Sequence, residues 1–394
     1  MFSRRLSLNI YLALILINYM KKSVKILFFL PVLLAALSLT GCSINLSTQN
    51  NSVKDIGGVF VSTNQGDSWK AMSGIPTVSG TPGSISGMDV NRLIVDPSDN
   101  QAVYLASFDN GLYYTYAVSK GWNFVSRLVK ETINDLAVDS KNKCVMFAAA
   151  GNKLYKSTDC SRFWKEAYYD NNPGVTVTAV AIDHYDSRQI YIGTSRGEVI
   201  KSLDGGTSWS TIQRLKDGVR QIILNPKDSR TVVVASDKSG LYKFNNNGTA
   251  KMEDLAGYNN RFDGENWTDL NNELKEFNLG FNFKGASYCN DGTLFIATDK
   301  VLLRSTDNGG SWAQIKLITP EKDTFINAIA VNPQNCSELF YVTNTTFYKS
   351  LDGGTAWVTK ELPTDRSGNA LLVDPENPSL IYLGAKKIKQ DQYN

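Results

Sequence analysis

A ten-residue segment that returns along the chain sets the strongest limit on what this sequence can fold into. Over Tyr348–Trp357 it reads Tyr-Lys-Ser-Leu-Asp-Gly-Gly-Thr-Ala-Trp. Its skeleton, Ser-x-Asp-x-Gly-x-x-Trp, is carried by Ser350, Asp352, Gly354 and Trp357. The same skeleton recurs as Ser202, Asp204, Gly206 and Trp209, and again as Ser305, Asp307, Gly309 and Trp312. Ser62, Asn64, Gly66 and Trp69 keep the spacing with Asn for Asp; Ser157, Asp159 and Trp164 keep it without the glycine. A short carboxylate or carboxamide can accept hydrogen bonds from the N–H groups of its own turn, and glycine supplies a positive φ at low cost. The indole is large enough to fill the wedge beneath such a turn. Strand-like runs flank each copy, so the box reads as the tip of a hairpin in a repeated β unit.

All seven tryptophans belong to this repeat, at 69, 122, 164, 209, 267, 312 and 357, which gives a period near 45. Strand-rich units at that period are the signature of a β-propeller. A second marker runs in phase, an apolar strand ending in an Asp or Asn turn, as in Leu93-Ile94-Val95-Asp96-Pro97 and Leu372-Val373-Asp374-Pro375. The expectation is an all-β chain with a single seven-bladed β-propeller of four-stranded antiparallel blades over residues 56–394. An eighth unit hidden in the long insertion is the alternative count. The chain opens on a late pair of strands (Gly58–Ser62, Trp69–Met72) and ends on an early pair (Ala370–Val373, Leu380–Leu383). Two such half-blades complete one another and close the ring without an open edge.

The five boxes resemble the Asp-box, or bacterial neuraminidase repeat, of sialidases, sortilin-type receptors and photosystem II assembly factors. The resemblance covers nearly all of residues 56–394 and is specific for fold rather than activity. The photosystem II factors look closest in size, blade count and leader, and by that resemblance the chain would be a non-catalytic scaffold. No binding residue carries over position by position. Sialidases resemble one another in an Arg-Ile-Pro segment, which is missing here.

The first 41 residues read as a leader. They hold Arg4, Arg5, Lys21, Lys22 and Lys25, no acid, and an apolar run from Ile26 to Leu37, the layout of a signal peptide. Leu39-Thr40-Gly41-Cys42 resembles the lipobox of bacterial lipoproteins, which makes Cys42 the expected lipidation site. Met20 itself starts a well-proportioned leader, so 1–19 reads as an over-extended start. Residues 42–55 read as a polar tether, and the expected location is the bacterial envelope, at the outer membrane where there is one. Removing five of the 41 Lys and Arg leaves 36 against 38 Asp and Glu, so nucleic-acid binding by bulk charge is not expected.

Departures from the repeat are the places to look for function, because loops on a rigid scaffold usually carry it. The largest runs from Asn245 to Lys284, with Tyr258, Arg261 and Phe262 as the candidate partner-binding rim and a short helix expected over Asn272–Phe277. The Gly/Ser/Pro-rich stretch Ser73–Val90 reads as a flexible connector. Chemistry looks thin. His184 is the only histidine, no EF-hand spacing occurs, and most of the acids that can be placed lie in boxes or Asp-Pro turns. No cofactor and no metal are expected. Besides Cys42 there are Cys144, Cys160, Cys289 and Cys336, which admit three pairings or four free thiols. The sequence thus leads to a monomeric, non-catalytic, lipid-anchored protein that binds another envelope protein through one propeller face. A polysaccharide-binding module or glycoside hydrolase is the alternative. An aromatic cleft with two carboxylates would favour it.

Overall fold

A computed structural model describes residues 55–78, 80–246, 266–277, 282–319 and 325–388. Among these, seven four-stranded antiparallel sheets form a β-propeller, blades I to VII. Their innermost strands are Val90–Asp96, Ile133–Asp139, Val177–Ile182, Val219–Asn225, Phe283–Tyr288, Ala328–Val331 and Ser367–Val373. Neighbouring innermost strands touch all the way round, and the strand of blade VII meets that of blade I. The expected closure holds. In blade VII, Ser367–Val373 and Ile381–Lys386 come from the end of the chain, while Gly58–Ser62 and Lys70–Met72 come from its start. Gly58–Ser62 pairs with Ile381–Ala385 over five residues.

Second strands are the most deeply buried because they have neighbours on both faces. Ile190–Thr194 and Leu294–Thr298 are buried at every residue. Such strands read as continuous apolar runs for the same reason. Tyr191, Phe244 and Trp267 lie together in one inter-blade core, and Phe147, Val177 and Ile192 lie in the next.

The boxes form the turns between third and fourth strands. In each full copy the serine hydroxyl donates to the acidic or amide side chain and accepts from the glycine N–H. For Ser350 these distances are 2.8 Å to Asp352 Oδ1 and 2.8 Å from Gly354 N. Asp352 Oδ1 also accepts from the N–H of Thr355 and Ala356. The copies at Ser62, Ser202 and Ser305 repeat this network.

The box also joins one blade to the one before it, which the sequence did not reveal. Gly66, Gly206, Gly309 and Gly354 all have φ near +90°, and each faces a side chain of the preceding blade. A Cβ there would lie 2.2 Å from Phe347, 2.9 Å from Phe147, 2.6 Å from Leu270 and 2.2 Å from Ile315 respectively. The indoles reach back the same way. Trp122 donates to Met72 O, Trp209 to Ala167 O and Trp357 to Lys316 O, all on the outer edge of the preceding blade. The lysine before the box serine reaches forward to the next turn. Lys156 bonds Gly205 O, Lys201 bonds Asn246 Oδ1 and Lys349 bonds Asp67 Oδ1.

Where blade II lacks the glycine, Cys160 and Ser161 take positive φ of 59° and 68° instead. This is a sparsely populated region for such residues, and the Cys144–Cys160 disulfide, with α-carbons 3.7 Å apart, holds the turn. Cys289–Cys336 links equivalent turns of blades V and VI at 5.8 Å. The segment Ser73–Val90 is more than a connector. Gly74–Ile75 pairs with Gly83–Ser84, Ile85 is fully buried, and Arg366 donates to the carbonyls of Gly87 and Met88. The short helix in blade IV appears at Asn271–Leu274, continued by a 3-10 turn over Lys275–Phe277.

Gly354→Ala should therefore cost several times more than Gly353→Ala. Both glycines have positive φ, but a Cβ on Gly353 meets nothing closer than 4.0 Å. The expected losses are ~3 kcal/mol or more against ~1 kcal/mol, from overpacking added to backbone strain. Urea unfolding measures both, and equal losses would contradict the inter-blade role. The box carboxyls also give a pH signature. Burial works to raise Asp204, but hydrogen bonds from Ser208, Ser202 and Thr207 outweigh it and hold the group at about 2. Asp159, Asp307 and Asp352 are lowered too. A lowered folded-state value contributes stability at and above the ordinary carboxylate range, and that contribution is lost as pH falls through about 2. Thermal midpoints should drop between about pH 4 and pH 2 and drop less in Asp204→Asn.

Candidate active site at the channel mouth

The seven innermost strands enclose an axial cavity of about 1000 Å³. Its polar end is built by a feature that repeats in the fold. Six of the strands carry a one-residue bulge near their start, and the bulged residues are Asn91, Asn134, Thr178, Arg220, Lys284 and Asn369. Asn327 takes the corresponding place just before the strand of blade VI. A bulge turns a side chain out of the strand's alternation, here toward the channel. Four of these residues donate to a carbonyl of the next blade, forming part of a belt. Asn91 reaches Ile133 O, Asn134 reaches Val177 O and Asn369 reaches Val90 O, each at 2.8 Å, while Thr178 reaches Val219 O.

Blades IV and V break the belt with Arg220 and Lys284. Gln221 ties these blades together instead, bonding both the carbonyl and the N–H of Ala286. From blade I, the Arg92 guanidinium donates to Asn134 O at 3.1 Å and crosses to Arg220 O at 3.0 Å. It also lies 3.5 Å from Asp135. Both Asp135 oxygens accept backbone N–H bonds, from Leu136 and from Val180 of blade III. The second carboxyl lining the cavity is Asp237, on the turn between the second and third strands of blade IV. It sits over Gly218, where a Cβ would come within 2.8 Å of its Oδ2. Arg220 Nε is 3.9 Å from it.

The electrostatics are displaced in both directions. Burial pushes Asp135 above the ordinary carboxylate range, against the pull of Arg92, the Val180 and Leu136 N–H groups and Arg220. Burial likewise raises Asp237, opposed by Arg220, reinforced by Asp217 and opposed by Lys238. Burial lowers Arg220, with the like charge of Arg92 adding to it. Its side chain is 54% accessible, but that surface opens into the channel, with protein around it. Burial lowers Lys284 as well, partly offset by Asp299. Shifted acids and bases sharing one cavity are a mark of functional sites. Phe108 lines the rim, with Lys386 Nζ 4.1 Å above its ring.

The expected site residues lie elsewhere. All box residues sit on turns between third and fourth strands, at the opposite ends of the strands from this mouth. Cys42, Tyr258, Arg261 and Phe262 lie outside the described residues. Sequence reasoning missed Asp135, Arg220, Asp237 and Lys284. Aligning the starts of the innermost strands would have found the two cations, because the order there is Asn, Asn, Thr, Arg, Lys, Asn, Asn. Among the described residues, one group could present three metal ligands, Cys289, Asp291 and Cys336. Its two sulfurs are joined to each other, so it does not fit a metal.

No family model matches the chain. Two curated relatives do. A xyloglucanase of Hypocrea jecorina (strain QM6a) is 26% identical over 318 residues, covering 66% of this chain and 36% of that protein. A xyloglucanase of a Paenibacillus species is 24% identical over 281 residues, covering 68% and 24%. The chain thus spans about a third of the first relative and a quarter of the second. Among solved structures, the GH74 enzyme of Niastella koreensis superposes with a TM-score of 0.59 at 16% identity, over 84% of this chain and 53% of that one. YCF48, solved with a D1 peptide, gives 0.53 at 14% identity, over 76% and 93%. These likenesses show the fold. The relatives overturn the expectation of a non-catalytic, partner-binding protein, because both proteins matched in sequence are glycoside hydrolases. Most of the acids that could be placed do lie in boxes or Asp turns, but two others enter the channel. Asp135 and Asp237 line the central cavity.

Proposed function

We propose that this chain acts on a polysaccharide as a glycoside hydrolase, with its site at the channel mouth. The observation that carries the reading is one cavity holding two carboxyls, both raised above their ordinary range by burial. The xyloglucanase relatives support the same class and make xyloglucan the first substrate to try. Glycoside hydrolysis needs two carboxyl groups, one protonated to meet the leaving oxygen and one ionised to attack or to activate water. Asp237 suits the acid. Burial raises it, so it keeps its proton to higher pH than an ordinary aspartate, and it is half accessible, so it can reach a ligand. Asp135 suits the fixed carboxylate. Two N–H bonds and the nearby Arg92 hold its orientation and oppose the upward push of burial. Phe108, with Lys386 over its ring, adds apolar surface to the same rim.

Two further readings accompany this one. The boxes are read as Asp-boxes that carry structure and no chemistry, supported by their self-contained hydrogen bonds and their distance from the mouth. Cys42 is read as the lipidated residue of an envelope protein, supported by the Leu39-Thr40-Gly41-Cys42 segment. Labelling cells with a fatty-acid probe should mark the wild-type chain and leave Cys42→Ala unmarked. Equal labelling of the two removes that reading.

Incubation with a panel of neutral and uronate-bearing polysaccharides, xyloglucan included, should release reducing ends from at least one of them. Asp237→Asn should lower the rate on the order of 100-fold or more while leaving binding intact. Because the Asp237 carboxyl is raised, its acid form persists to higher pH than an ordinary aspartate's. The wild-type rate should therefore fall as pH rises through that group, and fall again at low pH as the second carboxyl takes up its proton. No reducing ends from any polysaccharide of the panel, together with no binding to them, would overturn the reading.

A further inference from the structure

The two cations stand where the other five blades carry a neutral Asn or Thr. Asn or Thr at the same bulge seals neighbouring blades by donating to a carbonyl in four of the seven blades. Arg220 and Lys284 do not show that bond, and between blades IV and V Gln221 replaces it. Burial of a base without a close counter-charge is unfavourable, and both groups are lowered by it. The nearest carboxylate oxygen to Arg220 is 3.9 Å away, a loose pair. Lys284 forms no ion pair within 4.0 Å among the described residues.

The wider cavity has the same sign. Its lining holds five basic side chains, Arg92, Arg220, Lys284, Lys386 and Lys387, against two acids, Asp135 and Asp237. This excess is local, since boxes and turns elsewhere balance the chain. Asp299 stands beside Lys284, with its Oδ1 buried and unpartnered and its Oδ2 accepting from Asn282. Two adjacent cations opening on the channel, with acids on either side, suit a singly charged group. A carboxylate, the anionic group that a uronic acid unit carries, can bridge Arg220 and Lys284.

We propose that Arg220 and Lys284 bind the carboxylate of an acidic glycan, so that the polymer recognised here carries uronic acid units. The inference rests on the glycan-directed reading of the same site and narrows its substrate class. In this arrangement Arg220 and Lys284 are specificity-determining residues, and the carboxyl pair remains free for chemistry.

The test is titration calorimetry of the full chain with a uronate-containing oligosaccharide and with its carboxyl-reduced neutral counterpart. The acidic form should bind roughly tenfold tighter or more, as expected for hydrogen bonds to a charged group, and the difference should shrink as salt rises. Arg220→Asn and Lys284→Asn install the residue that blades I, II, VI and VII use, so both variants should keep the wild-type melting temperature. They should bring the acidic ligand down to the affinity of the neutral one. Equal affinity of wild type for the two forms, or undiminished preference in both variants, overturns the inference. If the neutral form binds and is hydrolysed equally well, the hydrolase reading stands while the acidic specificity falls. If neither form binds and no glycan is cleaved, both fall.

Discussion

The structure depends on a close approach between blades at four glycines. Each box glycine adopts a backbone conformation that side chains resist, and it does so with a neighbouring blade's side chain in the place a Cβ would take. One residue thereby satisfies a turn and an inter-blade contact at once. The serine and the acid of the box hold the turn, and the tryptophan reaches back to the preceding blade at three positions. Because the blades form a ring, each contact is backed by the next. Gly66, near the start of the chain, rests on Phe347 near its end. Closure thus needs no special device; it is the same contact made between the two ends of the chain.

This division of labour leaves one end of the channel for function. Boxes and both disulfides lie on the turns at one end of the strands. The belt of bulged residues, the raised carboxyls and the lowered bases lie at the other. The strained box turns are therefore remote from that mouth. The belt can change residue by residue so long as some other side chain holds the blades together, as Gln221 does between blades IV and V. Arg220 and Lys284 occupy positions that the architecture leaves free to vary.

The fold was largely legible in the sequence because its determinants are local and repeated. Ser350, Asp352, Gly354 and Trp357 form a turn whose hydrogen bonds lie within eight residues, and the period of the tryptophans counted the blades correctly. The partners of Gly354 and Trp357 were not legible, since Ile315 and Lys316 are brought there only by packing. The site was hidden for a related reason. Asp135 is one of three polar residues in the strand Ile133–Asp139, and only the bulge at its neighbour Asn134, shared by six blades, shows which end of the strand meets the channel mouth. The resemblance misled as well, because a shared box fixes a fold and leaves activity open. Asp237 follows an ordinary strand and carries no motif.

The claim on which most rests is that a glycan is held at the belt end of the channel. A crystal structure of the chain with an oligosaccharide from its preferred polymer tests it most directly. The account predicts sugar electron density beside Asp237, Lys284 and Phe108, with a sugar oxygen within hydrogen-bond reach of the Asp237 carboxyl. Density on the outer strands or against the box turns, with the channel mouth empty, would contradict it.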